Sequence, residues 1–249
     1  MSTYFIKENN VLNNEIIIDG DLCHHLGSVL RCKINDELDF SDNSEKIYHG
    51  QISAISKKEI RLNILEIKDI ENEPPINVYL IQCLPRGDKM EQIIQKCVEL
   101  GIYGILPVES ENSQVRLKGK IEEKTKRYQK IAAAAAEQCG RGKIPLVKVL
   151  ENPEKALDFL PEDTHILFCY EKEGNHGLKS ELLKVTTKNI AILIGPEGGF
   201  SDQEAKLIVR KGGVSVTMGP RILRTETAGL SCLVGIMYEL GDWGRIVEN

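Results

Sequence analysis

The feature that most constrains this chain is a change of rhythm at Glu71-Asn72-Glu73-Pro74-Pro75. Before it, the chain reads as short strands at 4–6, 15–18, 37–40, 46–55 and 59–67, parted by Asn-, Asp- and Ser-rich turns. After it, β-branched runs alternate with helical patterns, which predicts a mostly parallel sheet covered on both faces. The runs are 76–84, 102–108, 146–150, 165–170, 190–194 and 214–218; the helices are 88–100, 121–139, 153–160, 177–184, 202–211 and 226–240. Two domains follow, a small β-barrel over 1–72 and an α/β domain over 73–249, joined at the proline-stiffened segment.

One helix interrupts the barrel over 21–31, with Asp21 as N-cap and Leu22, Leu26, Val29 and Leu30 on one apolar face. In the second domain, the helix over 88–100 turns Met90, Ile93, Ile94, Cys97 and Val98 inward and closes at Gly101. The last helix carries Leu230, Leu233, Val234, Met237 and Leu240 on one side.

Several function classes drop out early. No apolar stretch nears the roughly 18 residues of a membrane span, and the amino terminus lacks a signal-peptide core, so a cytoplasmic protein is expected. Seven cysteines at 23, 32, 83, 97, 139, 169 and 232 form no C-x-x-C pair, and the histidines do not cluster. Reduced thiols and no metal site are expected. The formal net charge is −5, yet Arg116 to Lys143 holds nine basic residues against three acidic ones. That segment suits an anionic polymer; the alternative is a solvated helix face with its own ion pairs.

Two bends near the end carry the chemistry. Gly195-Pro196-Glu197-Gly198-Gly199-Phe200 follows one strand, and Ser201 with Glu204 forms a capping box for the next helix. It is neither a Walker A loop nor a dinucleotide fingerprint. Met218-Gly219-Pro220-Arg221-Ile222-Leu223-Arg224-Thr225-Glu226-Thr227 follows another strand, with charged residues crowded into a sharp turn. The alternative there is an Arg224–Glu226 surface ion pair. Together the bends predict a ligand site built from two neighbouring strand ends.

These two segments, with His24-His25-Leu26, Val29-Leu30-Arg31, Lys89-Met90-Glu91, Ile94-Gln95-Lys96, Glu99-Leu100-Gly101, Glu137-Gln138 with Arg141, and Ile144-Pro145, resemble the RsmE family of 16S rRNA uridine N3-methyltransferases along the whole chain. The resemblance implies an N-terminal PUA-like RNA-binding barrel and a C-terminal SPOUT α/β domain with a trefoil knot. It implies S-adenosyl-L-methionine as cofactor, 16S rRNA of the small ribosomal subunit as partner, and a homodimer with the last helix at or near its interface. The chain departs from the pattern in having no arginine before Arg31, and in Asn112-Ser113 where Arg-Ser or Arg-Cys is frequent, so neither arginine contact carries over. Tyr128 replaces a frequent tryptophan, a packing change.

The implied cofactor residues are Ile194, Gly195, Pro196, Glu197, Gly198, Gly199, Met218, Gly219, Ile222, Leu223, Arg224 and Thr225. Arg224 is the candidate for holding the uracil oxygens, because a guanidinium donates without acting as a base. Glu226 or Glu197 would take the N3 proton. Arg31, Arg116, Lys118, Arg127 and Arg141 are the RNA-contact candidates. Two rival readings are a different knotted RNA methyltransferase, acting on tRNA or a ribose hydroxyl, and a non-catalytic RNA-binding assembly factor.

Overall fold

The structure, a computed structural model, describes residues 3–170 and 176–243. The outermost positions of the two expected domains, 1–2 and 244–249, lie outside the described residues. The chain divides into two compact units: the residues up to Glu73 with Ala136–Ile144, and the two stretches from Pro74 to Ala135 and from Pro145 onward.

The first unit is a curled six-stranded sheet. Its strands are β1 (Thr3–Phe5), β2 (Val11–Leu12), β3 (Glu15–Asp19), β4 (Glu37–Ser41), β5 (Lys46–Ile55) and β6 (Glu59–Asp69), in the order β1-β4-β5-β6-β3-β2. Only β1 with β4 runs parallel. Along β6, Ile60, Leu62 and Ile64 are buried while Arg61, Asn63 and Leu65 face water, the alternation that a one-sided core demands. Phe40, Ile16, Ile18, Leu26 and Ile52 complete that core. Register shifts in the β5–β6 ladder at His49/Gly50 and Ile52/Ala54 mark the irregularities expected of a sheet that bends.

Helix α1 (Gly20–His24) widens into a π-helical turn over His25–Val29. This changes the expected apolar face. Cys23 and Leu26 are buried, but the looser winding breaks the 3.6-residue register, and Val29 and Leu30 turn outward. The N-cap position is Asp19, with no side-chain bond, and Asp21 stands two residues further in, within the first turn.

Ala136–Ile144 belongs with this unit and not with the α/β domain of a single cut at residue 72. Arg141 is buried, with its Nε 3.2 Å from Glu73, and the Ser41 hydroxyl donates to the Gly142 carbonyl at 2.6 Å. Three-dimensional packing, which no local pattern records, recruits this segment.

The second unit alternates β7 (Asn77–Cys83), α2 (Lys89–Glu99), β8 (Gly104–Val108), α3 (Ile121–Cys139), β9 (Leu146–Val147), α4 (Pro153–Phe159), β10 (His165–Cys169), α5 (Leu178–Leu182), β11 (Asn189–Ile194), α6 (Asp202–Arg210), β12 (Val214–Val216) and α7 (Thr225–Glu239), with the C-terminal end of α3 belonging to the first unit. The sheet order is β12-β10-β11-β7-β8-β9, and every pairing is parallel. One face packs Ile81, Leu106, Phe168 and Leu193 against α4 and α6. The other lies under α7, which also packs on α2. Met90, Ile93, Ile94, Cys97 and Val98 of α2 are all buried, as their spacing predicts.

Helix α7 departs from its expected stripe. Cys232, Leu233, Ile236 and Met237 are buried, but Leu230 and Val234 are only half-buried and Tyr238 is exposed. A helix apolar on nearly all sides has no single stripe to read.

Candidate functional site

Parallel strands send all their C-terminal ends to one edge of the sheet, and three bends gather there. The first leaves β11 at the fully buried Ile194. Gly199 takes φ +67°, a conformation that favours glycine, and its amide donates to the Pro196 carbonyl at 2.9 Å. Asn112 reaches in from the loop after β8, its amide donating to the carbonyls of Gly198 and Gly199 at 3.3 and 3.1 Å. Ser201 and Glu204 form the expected capping box on α6. Pro196 is buried, whereas Glu197 and Gly198 are exposed.

The second bend leaves β12 and runs to α7. Gly219 has φ +111°, and a Cβ there would meet no atom within 4 Å. Thr217 braces the turn, its hydroxyl accepting from the Gly219 amide at 3.2 Å. Beyond it, Ile222 is 92% exposed and Arg224 is exposed at the α7 N-cap without capping by its side chain. Met218 is half-buried, its sulfur 3.5 Å from that of Cys169, and Leu223 is half-buried too.

The expectation of two neighbouring strand ends needs correction, because β10 lies between β11 and β12. The bends meet instead through the start of α7. The buried Thr225 hydroxyl donates to the Gly195 carbonyl at 2.7 Å and accepts from the Gln82 side-chain amide at 2.9 Å. Gln82 is fully buried near the end of β7, and its amide also donates to the Cys83 carbonyl at 3.0 Å. One side chain thus ties β7, the β11 bend and α7.

The third bend, Leu84 to Asp88, follows β7, and sequence reasoning missed it as part of the site. The Arg86 amide donates to Glu197 Oε1 at 3.1 Å. Lys89, the first residue of α2, places its ammonium 3.1 Å from Glu226 and 3.7 Å from Glu197. Lys89, and not Arg224, is therefore the ion-pair partner of Glu226. Partial burial favours the neutral acid of Glu226, but its own backbone amide, Lys89 and the nearby Arg224 outweigh that and hold the carboxyl below the usual carboxylate range. The signal that would have exposed this bend is its place: Pro85-Arg86-Gly87 ends a buried strand just as the two glycine bends do.

The RNA-contact candidates do not stand alike. In the first unit, Arg31 is exposed with φ +56°, but Arg141 is buried against Glu73 and so serves the fold, a correction to its candidacy. In the second unit, Lys118 is exposed with φ +48°. Arg116 is half-exposed and clasps its own loop, bonding Glu109 at 2.9 Å and the Glu111 carbonyl at 3.2 Å. Arg127 is exposed and pairs with Glu91. Among the described residues, no group of three or more His, Cys, Asp or Glu side chains is placed to hold a metal, and no helix is long and apolar enough to cross a membrane.

Comparison with known proteins adds the following. The RNA methyltransferase domain family matches residues 72–237, and the RNA methyltransferase PUA domain family matches 18–65. The chain is 32% identical to a Bacillus subtilis protein named ribosomal RNA small subunit methyltransferase E, over 96% of this chain and 97% of the relative. It superposes on the Neisseria gonorrhoeae ribosomal RNA small subunit methyltransferase E, solved bound to S-adenosyl methionine, with TM-score 0.86 and 30% identity, covering 98% and 99% of the two chains. A Legionella pneumophila putative methyltransferase, solved with bound cofactor SAM, gives TM-score 0.84 and 27% identity, covering 96% and 98%.

Proposed function

We infer that this chain, which belongs to the ribosomal RNA small subunit methyltransferase E family, transfers a methyl group from S-adenosylmethionine to N3 of a uridine in 16S rRNA. The observation that carries the reading is the junction at Thr225, where strand β7, the β11 bend and the start of α7, to which the β12 bend leads, are fastened into one cradle. The residues there suit an adenosyl sulfonium. Gly198 and Gly219 are exposed and Gly195 is half-buried against Phe200, Ile222 and Leu223 offer apolar surface, and Glu197 and Glu226 supply negative charge. When bound, S-adenosylmethionine would supply the methyl group from its positively charged sulfur.

The chain's own groups do the rest. N3 lies on the Watson–Crick edge, so the target base is taken unpaired or extruded. Arg224, exposed and making no ion pair among the described residues, donates to the uracil oxygens and stabilises the charge left when N3 loses its proton. Glu226 or Glu197 receives that proton. Closing the site against water strengthens these charge interactions, and positioning supplies much of the remaining rate.

In this reading residues 1–72, joined by Ala136–Ile144, form the RNA-binding domain and the rest of 73–249 the methyl-transfer domain, working in the cytoplasm on the small ribosomal subunit. Arg31 and Lys118 touch RNA phosphate, with Arg127 and Arg116 joining them if they leave their carboxylate partners. The uncovered side of α7, Leu230, Val234 and Tyr238, is the homodimer face, and sedimentation at micromolar concentration is expected to give a dimer.

The test is incubation of labelled S-adenosylmethionine with small subunits lacking this methylation. N3-methyluridine in 16S rRNA is the expected product. A mark on tRNA or ribose would select the first rival reading, and no transfer the second.

A further inference from the structure

The two carboxylates that serve equally as proton acceptors in the sequence are not equal in the structure. Both Glu226 oxygens lie 3.1 Å from the Lys89 ammonium. Glu197 meets that ammonium at 3.7 Å through Oε1, the same oxygen that takes the Arg86 amide at 3.1 Å. Among the described residues Glu197 Oε2 has no hydrogen-bond partner, and the residue is exposed at the bend. One ammonium thus engages both oxygens of the first carboxylate and stands at ion-pair distance from one oxygen of the second.

We propose that Lys89 is the positioning residue of the transfer site, fixing Glu226 as an anchor on α7 and turning Glu197 Oε2 toward the substrate as the group that accepts the N3 proton. This rests on the function proposed above. The step balances simply: the uracil N3–H bond breaks, an O–H bond forms on Glu197, and the electron pair stays on the ring, spread over the two carbonyl oxygens beside Arg224. Glu197 then releases the proton to solvent, to which it is open.

The charged groups around Glu226 are few. Lys89 faces it from α2, Arg224 from its own bend, and Glu197 sits across Lys89 from the β11 bend. Removing the ammonium leaves the two carboxylates without their shared counter-charge and takes from Glu226 one of the groups that hold it ionised. The bends themselves stay fastened through the Thr225 hydroxyl and the Gly195 carbonyl.

The test uses the full-length protein, small ribosomal subunits and saturating S-adenosylmethionine across pH. Lys89→Met is expected to lower the single-turnover rate about tenfold to a hundredfold, less than the roughly 10²–10⁴-fold worth of the acid–base group itself, because Glu197 is left in place but no longer held. Its acid limb should move to higher pH, while calorimetry keeps cofactor affinity within about threefold. Lys89→Arg should restore most of the rate, because a guanidinium can still bridge two carboxylates. Glu197→Gln should lose the rate and the acid limb together, and Glu226→Gln should retain the limb. A wild-type profile in Lys89→Met, or the reverse behaviour of the two glutamine variants, overturns the proposal.

A second measurement needs no RNA. In the protein with ¹³C-labelled glutamate, Lys89→Met should raise the pH at which the Glu226 carboxyl titrates. An unmoved titration defeats the positioning role even if methylation is observed. A moved titration with no methyl transfer by the wild type defeats the function reading alone.

Discussion

The bends after β11 and β12 both end a parallel strand and both contain glycine, but only the first is closed by its own chain. Asn112 holds its carbonyls, the Gly199 amide closes its turn, the Arg86 amide holds Glu197, and a capping box fixes where it enters α6. The second is braced at its start by Thr217 and then presents Ile222 and Arg224 to solvent. A site built this way divides its labour. The closed bend is paid for during folding and gives a ligand a fixed wall, whereas the open bend has apolar and cationic side chains still to be covered. The junction at Thr225 and Lys89 keeps the two in register even though β10 separates their strands.

The largest effect should come from the open bend. Arg224→Ala is expected to lower methylation about a hundredfold or more, the scale of losing a group that stabilises developing negative charge. The fold and cofactor affinity should stay, because Arg224 is exposed and makes no ion pair among the described residues. Normal turnover by this variant would show that the open bend's charge is not part of the reaction, and the contrast between the bends would lose its functional meaning.

Next comes the junction. Thr225→Val keeps the volume but strips the hydroxyl, leaving the half-buried Gly195 carbonyl without its donor and taking one acceptor from the buried Gln82. The loss should be about 1–3 kcal/mol in urea unfolding, the cost of stranding buried polar groups. Cofactor affinity should fall with it, since the bends are no longer fastened. A stable variant with intact affinity would mean that the bends align without this link.

How much of this was readable follows from which interactions are local. The inward stripe of α2 and the Ser201–Glu204 box rest on spacings of three and four residues, so the sequence states them outright. Val29 and Leu30 misled because a π-helical turn changed the spacing under the pattern. Gln82 and Lys89 were silent for another reason: their partners Thr225 and Glu226 lie 143 and 137 residues away, and only the strand order brings them together. Arg141 looked like one more member of a basic run, since nothing in the run marks the single arginine that folds back on Glu73. The nature of the bends was legible from their glycines and charges, and the bolts that join them were not.

The smallest effects separate the bends by their response to pH. Asn112→Ala removes two bonds to carbonyls of the closed bend and should cost about 1 kcal/mol, with no direct pH dependence from these contacts because neither donor nor acceptors titrate near neutrality. Glu226→Gln acts on the open bend and should cost about 0.5 kcal/mol at neutral pH, the worth of a first-turn carboxylate at a helix N-terminus. Its folded-state carboxyl titrates below the ordinary 4.5. The stabilisation is therefore fully present above the unfolded value and disappears as pH falls through the folded one. Urea midpoints taken from neutrality down through the carboxylate range should show wild type and Glu226→Gln converging in acid, while wild type and Asn112→Ala stay apart. Convergence of both pairs, or of neither, would mean that the ion pair with Lys89 does not distinguish the open bend from the closed one.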